Sequence, residues 1–517
     1  MKTSCRAVWF VASVVLIGSG ARVWAHTDVT PAEARELIDS TENLLVVDVR
    51  ERSEYCDAVG HIPGAVNYPL SSGVLQARYD ELPMDRPILV VCRSGGRSNS
   101  AANFLDSQGF PEVYDMTGGM NAWQWGTAPC KYAGGSGTPE DPYQIATAAD
   151  LIALGADPND YDKHFILTAD IDLDPNLPGG KVFENAVIAG AWKLPFTGVF
   201  DGNGHTISHL TIEGEFSLGL FGQLGWAYQK EPDAEPTCMV TNLAVEDVNI
   251  VGSVISAGAL AAYVEWAVVS DSSSTGQVIG KDTVGGLVGH SRHAVINCHS
   301  GCTVIGDYDV GGLVGRNDGP VMDCSSTGTV KGGSAVGGLV GYHRDSITQS
   351  YSTGAVSGKD AVGGLVGRNG NGDVLHSTSR PGDIDSSYST AAVEGETCVG
   401  GLIGEYRYGS VRQCYSTGAV SGNAQVGGLA SGPAPATDVT VFFDVTASFW
   451  DVETSGLTVS GAGQGKTTAQ MQTAGMYLEA GWDFVGEAEN GTAEIWWIDE
   501  GQDYPRLWWE LGDEASP

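Results

Sequence analysis

Gly-Gly-Leu-Val-Gly begins at Gly285, Gly311, Gly337 and Gly363, three successive intervals of 26 residues. Gly400-Gly401-Leu402-Ile403-Gly404 follows after 37, with the added length between Asn369 and Asp383, and Gly427-Gly428-Leu429 after a further 27. A second phrase keeps step with the first, at Ser325-Ser326-Thr327-Gly328, Tyr351-Ser352-Thr353-Gly354 and Tyr415-Ser416-Thr417-Gly418. Degenerate copies lie at Leu218 to Gly222 and Gly258 to Tyr263. A fixed period of this length means one structural unit stacked on its own copies. Short apolar alternations between glycine and polar turns, without helical periodicity, make that unit a coil of an all-β solenoid (β-helix). Leu287, Leu313, Leu339 and Leu365 should then stack as an internal ladder, with glycines at the tight corners.

The solenoid region divides into an N-terminal part and cap (residues 143–255), the repeats (256–447) and an aromatic-rich C-terminal cap (448–517). A terminal coil is an exposed sheet edge that needs cover. Trp482, Trp496, Trp497, Trp508 and Trp509 suit an end plug, with a carbohydrate-stacking surface as the alternative. Cys298 and Cys324 occupy equivalent positions one repeat apart, which predicts adjacent placement, as a ladder of thiols in preference to a disulfide.

Residues 26–130 have a different texture, and 131–142, with Gly134-Gly135-Ser136-Gly137, read as a linker. Thr30 with Pro31 and Glu33 makes a capping box for a helix to about Ser40. Leu44 to Val49, Ile88 to Val91 and Val113 to Met116 read as strands, with a helix from Ser98 to Gln108. Alternating strands and helices predict an α/β domain, a parallel sheet with helices on both faces, whose chemistry sits at the carboxyl ends of the strands.

Cys92 stands at such an end, opening the run Cys92-Arg93-Ser94-Gly95-Gly96-Arg97-Ser98. Successive loop amides and a helix N-terminus form an anion cradle that favours the thiolate of a cysteine held within it. Arg93 and Arg97 add positive charge. This is a nucleophile-and-anion site.

Lys2 and Arg6, the apolar run Ala7 to Gly18 and Val23-Trp24-Ala25 read as a secretory signal peptide over residues 1–25, so the chain is expected to be exported, to the periplasm, the cell surface or beyond. No later segment is long and apolar enough for a membrane span. The net charge of −36, from 27 basic and 63 acidic residues, argues against nucleic acid or an anionic membrane as partner.

Several separate motifs of the first block resemble a single-domain rhodanese, a sulfurtransferase: Asp48-Val49-Arg50, Gly60-His61-Ile62-Pro63-Gly64-Ala65, the Cys92–Ser98 loop, and Gly118-Gly119-Met120-Asn121-Ala122-Trp123. The repeats resemble the GLUG motif of large bacterial surface proteins, and the C-terminal block resembles exported GLUG-repeat proteins of the planctomycete type. The rhodanese resemblance implies Cys92 as the nucleophile that carries a persulfide, with a small sulfur-containing anion such as thiosulfate as donor and a thiol or cyanide as acceptor. It implies Arg97 and the loop amides (Arg93, Ser94, Gly95, Gly96, Ser98) as donor-binding groups, Arg93 at the mouth, and Asp48 and Arg50 in support. It implies no cofactor and no metal. The segment Tyr55-Cys56-Asp57-Ala58-Val59 departs from the family pattern. Cys56 has three open fates: unpaired, clasped to Cys130, or a redox partner for Cys92.

A cysteine phosphatase needs arginine six positions after the nucleophile, where this chain has Ser98. The P-loop-like Gly461 to Thr467 has Ser460 where the leading glycine belongs. Cys298 and Cys302 lack a second pair for zinc, and Asp170, Asp172 and Asp174 read as solvated carboxylates in preference to calcium ligands. Two functions stand: an exported sulfurtransferase attached to a solenoid that binds a surface or extracellular ligand, and a non-enzymatic surface or adhesion protein with a vestigial or sulfur-sensing first domain.

Overall fold

The run Ile88–Val91 sends alternate side chains to opposite sides of a strand, and each side meets a different core. In the computed structural model, which describes residues 25–511 apart from 192, 227–235, 254, 371–381, 432–441 and 488, the chain forms two units, residues 1–130 and 131–517. Of the signal peptide expected over residues 1–25, residues 1–24 lie outside the described residues.

The first unit runs β1 (Thr27–Val29), α1 (Pro31–Ser40), β2 (Leu45–Asp48), α2 (Arg52–Tyr55), β3 (Val66–Asn67), α3 (Val74–Arg78), β4 (Ile88–Val91), α4 (Gly96–Gln108), β5 (Val113–Met116) and α5 (Gly119–Ala122). All strands are parallel, in the order β1-β5-β4-β2-β3. Ile88, Val90 and Cys92 join a core with Leu75 of α3 and Ala101, Ala102 and Leu105 of α4. Leu89 and Val91 join the opposite core, with Ala34 of α1, Tyr55 of α2 and Met120 of α5. Each aliphatic side chain buried this way stabilises the fold by roughly 1.5–3 kcal/mol. Thr30 caps α1 through the expected box with Glu33. The helix expected to begin at Ser98 begins two residues earlier, at Gly96, because the left-handed Gly95 (φ +96°) turns the chain directly from loop to helix.

The second unit is a β-solenoid whose coils pair in parallel. Every strand of a repeat bonds to its counterpart one coil on, so apolar columns run the length of the stack: Val288, Val314, Val340, Val366 and Ile403 along one side, and Val310, Val336, Val362, Val399 and Val426 along another. Leu287, Leu313, Leu339 and Leu365 stack as expected, fully buried, the amide of each bonding the carbonyl of the next at 2.9–3.0 Å. The second glycine of each motif is needed for space. At Gly286 or Gly312 a side chain would overlap the next coil's backbone and the Ser300 or Ser326 hydroxyl.

At one corner a ladder of small polar side chains replaces the apolar columns. Asp271, Asn297, Asp323, Gln349, Ser386, Gln413 and Ala447 all adopt a left-handed backbone (φ +46° to +54°). The residue after each, Ser272, Cys298, Cys324, Ser350, Ser387, Cys414 and Ser448, donates its side-chain hydrogen to the carbonyl two positions back at 2.7–3.2 Å. Cys298 N–H donates to Cys324 Sγ at 3.4 Å, and Cys324 N–H to Ser350 Oγ at 3.1 Å. Cys298 and Cys324 are thus stacked free thiols, not a disulfide.

Residues 131–142, expected as a linker, pack with the solenoid: Tyr132 is buried in its core and Gly134 bridges Gln144. The helix Ala148–Ala156 adds Leu151 and Leu154 to that core. The C-terminal segment, expected as an end plug, lies along the flank. Its aromatic residues cover the column His299, Ser325, Tyr351, Tyr388, Tyr415 and Phe449. Trp509 stacks on Tyr351 (5.5 Å) and donates to Gln349 O (3.1 Å), and Tyr388 donates to Glu510 (2.8 Å). Trp482 and Trp496 are fully buried there, which removes them from any carbohydrate-stacking surface. The physical reason is the ring ladder itself: Tyr351, Tyr388 and Tyr415 stack 4.9–5.0 Å apart and form an apolar face that the C-terminal aromatic residues cover.

Candidate functional site

β4 delivers Cys92 to the carboxyl edge of the sheet, and the loop returns at once into α4. Cys92 is buried, and Gly95 N–H donates to its Sγ at 3.1 Å. The amides of Gly96, Arg97 and Ser98 open the thirteen-residue α4 and have no acceptor within the helix, so the cradle comes from the backbone. Ser98 Oγ donates to Gly95 O at 3.1 Å and fixes the turn. Only glycine fits position 95: besides its φ, a Cβ would lie 2.9 Å from Gly118 N.

The closing segment holds the loop from behind. Met120 N–H donates to Cys92 O (2.8 Å) and Asn121 N–H to Arg93 O (2.9 Å). Gly119, at φ +57°, has no room for a Cβ, which would overlap the Cys92 carbonyl. These contacts explain why Gly118 to Trp123 belongs with Cys92 although they are far apart in sequence.

Both loop arginines converge on Glu54 of α2, a residue that the sequence analysis missed. Arg97 forms a two-point pair with it (2.6 and 2.8 Å), and Arg93 lies at 3.5 Å. The Arg97 hydrogen bonds are the main reason that the Glu54 carboxyl is held down at about 2. The signal available in the sequence was weak, two acidic residues, Glu51 and Glu54, in a short turn after Arg50. The pair fixes the Arg97 guanidinium at the rim.

Asp48 and Arg50 do not reach the loop opening. Both are buried, and Arg50 bonds Asp48 through Nε and Nη2 (2.8–3.1 Å) while donating to Glu54 O and Gly60 O, each at 2.8 Å. Arg50 therefore pins the α2 turn that presents Glu54. Cys56 is bonded to Cys130. This corrects its reading as a redox partner for Cys92: the clasp closes the domain end, and Cys92 stays a free thiol. Asp170 and Asp172, weighed as calcium ligands, face His205 and His209 at 3.0 and 2.9 Å instead.

The second unit carries a cavity of about 970 Å³ lined, among others, by Tyr161, Leu194, Phe216, Ile255, His290 and Arg316. Phe216 and Ile255 are 68% and 73% exposed, an apolar rim on a polar surface.

Comparison with known proteins matches the rhodanese-like domain to residues 30–125 and the GLUG motif to residues 306–331, 332–357 and 395–421. The thiosulfate sulfurtransferase GlpE of Pseudoalteromonas translucida is 37% identical over 100 residues, 19% of this chain and 90% of that protein. The putative sulfur carrier protein YrkF of Bacillus subtilis is 42% identical over 89 residues, 17% of this chain and 46% of that protein. Halomucin of Haloquadratum walsbyi is 32% identical over 211 residues, 40% of this chain but only 2% of its own length. The chain thus spans under half of YrkF and a small fraction of halomucin.

Proposed function

This chain belongs, through residues 30–125, to the rhodanese-like family of sulfurtransferases, and on that premise we propose that Cys92 carries sulfane sulfur as a persulfide. The observation that carries the reading is the Cys92 sulfur itself, seated at the end of β4, bonded by Gly95 N–H and facing the amide-rich start of α4. The Cys92 thiolate attacks the outer sulfur of thiosulfate. The donor's S–S bond breaks, sulfite leaves with its electron pair, and Cys92 bears –S–S⁻. An acceptor thiolate or cyanide then attacks the terminal sulfur, forms the new bond and returns the electron pair to Cys92. Loop amides from Ser94 to Ser98 stabilise the charge in both steps. Arg97, oriented by Glu54, steers the donor's sulfonate.

The GLUG repeats and the likeness to halomucin support a surface setting for an exported chain, in which the solenoid holds an extracellular ligand in its cavity. Among the described residues, no helix is long and apolar enough to cross a membrane.

The test is sulfur transfer from thiosulfate to cyanide by the full chain, with mass spectrometry for one added sulfur on Cys92. Cys92→Ser should abolish both. Wild-type protein inactive under reducing and non-reducing conditions alike overturns the reading and leaves the non-enzymatic surface protein, for which the exposed apolar rim of the cavity is the supporting observation.

A further inference from the structure

His26 immediately precedes edge strand β1, and Asp28 within the strand lies two residues on, in the alternation that returns to the same face. Register places Asp28 directly opposite Asp115 of β5. Two carboxylates facing each other across adjacent strands repel, and one of these is costlier still. Asp115 is 2% exposed; the Ser98 and Asn99 side chains hydrogen-bond to its carboxylate, yet its Oδ1 has no partner. An ionised carboxylate is not buried this way without a counter-charge.

His26 completes the set. One ligand atom each from His26, Asp28 and Asp115 lie within 4.8 Å of one another. The histidine is oriented from behind: its Nδ1 sits 2.7 Å from Asp106 Oδ2 on α4, and its backbone N–H donates to the same oxygen at 2.9 Å. Its Nε2 accepts from Asn99 Nδ2 at 3.3 Å and lies 3.7 Å from Asp28 Oδ1, so the lone pair that Asn99 now occupies is the one a cation would take. Outer carboxylate, imidazole and inner ligands is the arrangement by which proteins fix a metal-binding histidine.

We propose that His26 Nε2, Asp28 and Asp115 form a site for a divalent cation of the zinc class. One imidazole nitrogen and two carboxylates suit Zn²⁺ with water at the remaining position, whereas Ca²⁺ requires six to eight oxygens. The cation neutralises the opposed carboxylates and fastens the three-residue edge strand β1 to β5. Thr117, which follows β5, already bonds Val29 O through its backbone N–H (2.9 Å) and leads into the glycines that hold the Cys92 loop.

The test is calorimetric titration of chelator-stripped full chain with Zn²⁺, with thermal unfolding of the stripped and loaded forms. Wild type should bind one Zn²⁺ at this site and unfold at a higher temperature when loaded. Asp115→Asn should weaken this binding roughly 100-fold and lose the rise, and Asp106→Asn should weaken it roughly 10-fold. Stripped Asp115→Asn should unfold no earlier than stripped wild type, since the substitution relieves the repulsion and shows that the fold survives. Cys92→Ser should bind as wild type does, which keeps the site separate from sulfur transfer. Equal binding by wild type and Asp115→Asn overturns the proposal. So does a Co²⁺ form whose spectrum shows thiolate-to-metal charge transfer.

Discussion

Glu54 is the residue on which the electrostatics of the Cys92 loop turn. Its pKa, held down at about 2 mainly by the Arg97 hydrogen bonds, keeps the pair ionised through the neutral and mildly acidic range. A folded-state value below the unfolded one gives stability that is complete above the ordinary value of 4.5 and lost as pH falls toward 2. The stability difference between wild type and Glu54→Gln should therefore be level above pH 5 and vanish toward pH 2 in denaturant titrations. The same variant releases Arg97 from its position, and kcat/KM for thiosulfate should fall about 10-fold. Gly119→Ala tests the clamp behind the loop. With a Cβ overlapping the Cys92 carbonyl, the loop must shift, and thiosulfate turnover should drop by about 100-fold or more while the protein stays folded by circular dichroism.

At the scale of elements, the cysteines divide by role. Cys56→Ser removes the clasp to Cys130 and should cost the first unit roughly 2–4 kcal/mol in urea unfolding, with sulfur transfer retained at temperatures where the domain stays folded. In the solenoid corner, serine already fills the equivalent position at Ser350 and Ser387. Cys324→Ser should accordingly shift stability by less than about 1 kcal/mol. Cys324→Ala leaves the Cys298 amide without its acceptor and should cost roughly 1–3 kcal/mol. Much of this scale was legible from sequence. The strand–loop–helix around Cys92 and the Leu287 to Leu365 stack follow from alternation, capping and period. The corner ladder was half visible, through the equivalence of Cys298 and Cys324, but serine and cysteine at one position were not read as one column.

Among the described residues the cores fall into two sets, one core on each side of the first unit's sheet, and in the second unit one inside the solenoid and one beneath the C-terminal segment. Denaturant unfolding of the full chain should show two transitions. A reductant should lower the first unit's transition, which holds the disulfide, and leave the solenoid's in place, since its cysteines are free thiols. A single transition moved as a whole by reductant would contradict this.

By itself the sequence determined the class of both units, the strand–loop–helix that carries Cys92, and the register of the coils. These are local or periodic properties: an alternating run, a glycine corner or a 26-residue repeat specifies its partner by its own pattern. Only the tertiary structure decided that Glu54 holds Arg97, that Cys56 meets Cys130, that the C-terminal tryptophans lie along the flank, and that Asp28 faces Asp115. Each joins segments that no repeat relates, and their meeting depends on strand order and on the residue-by-residue offset between neighbouring strands.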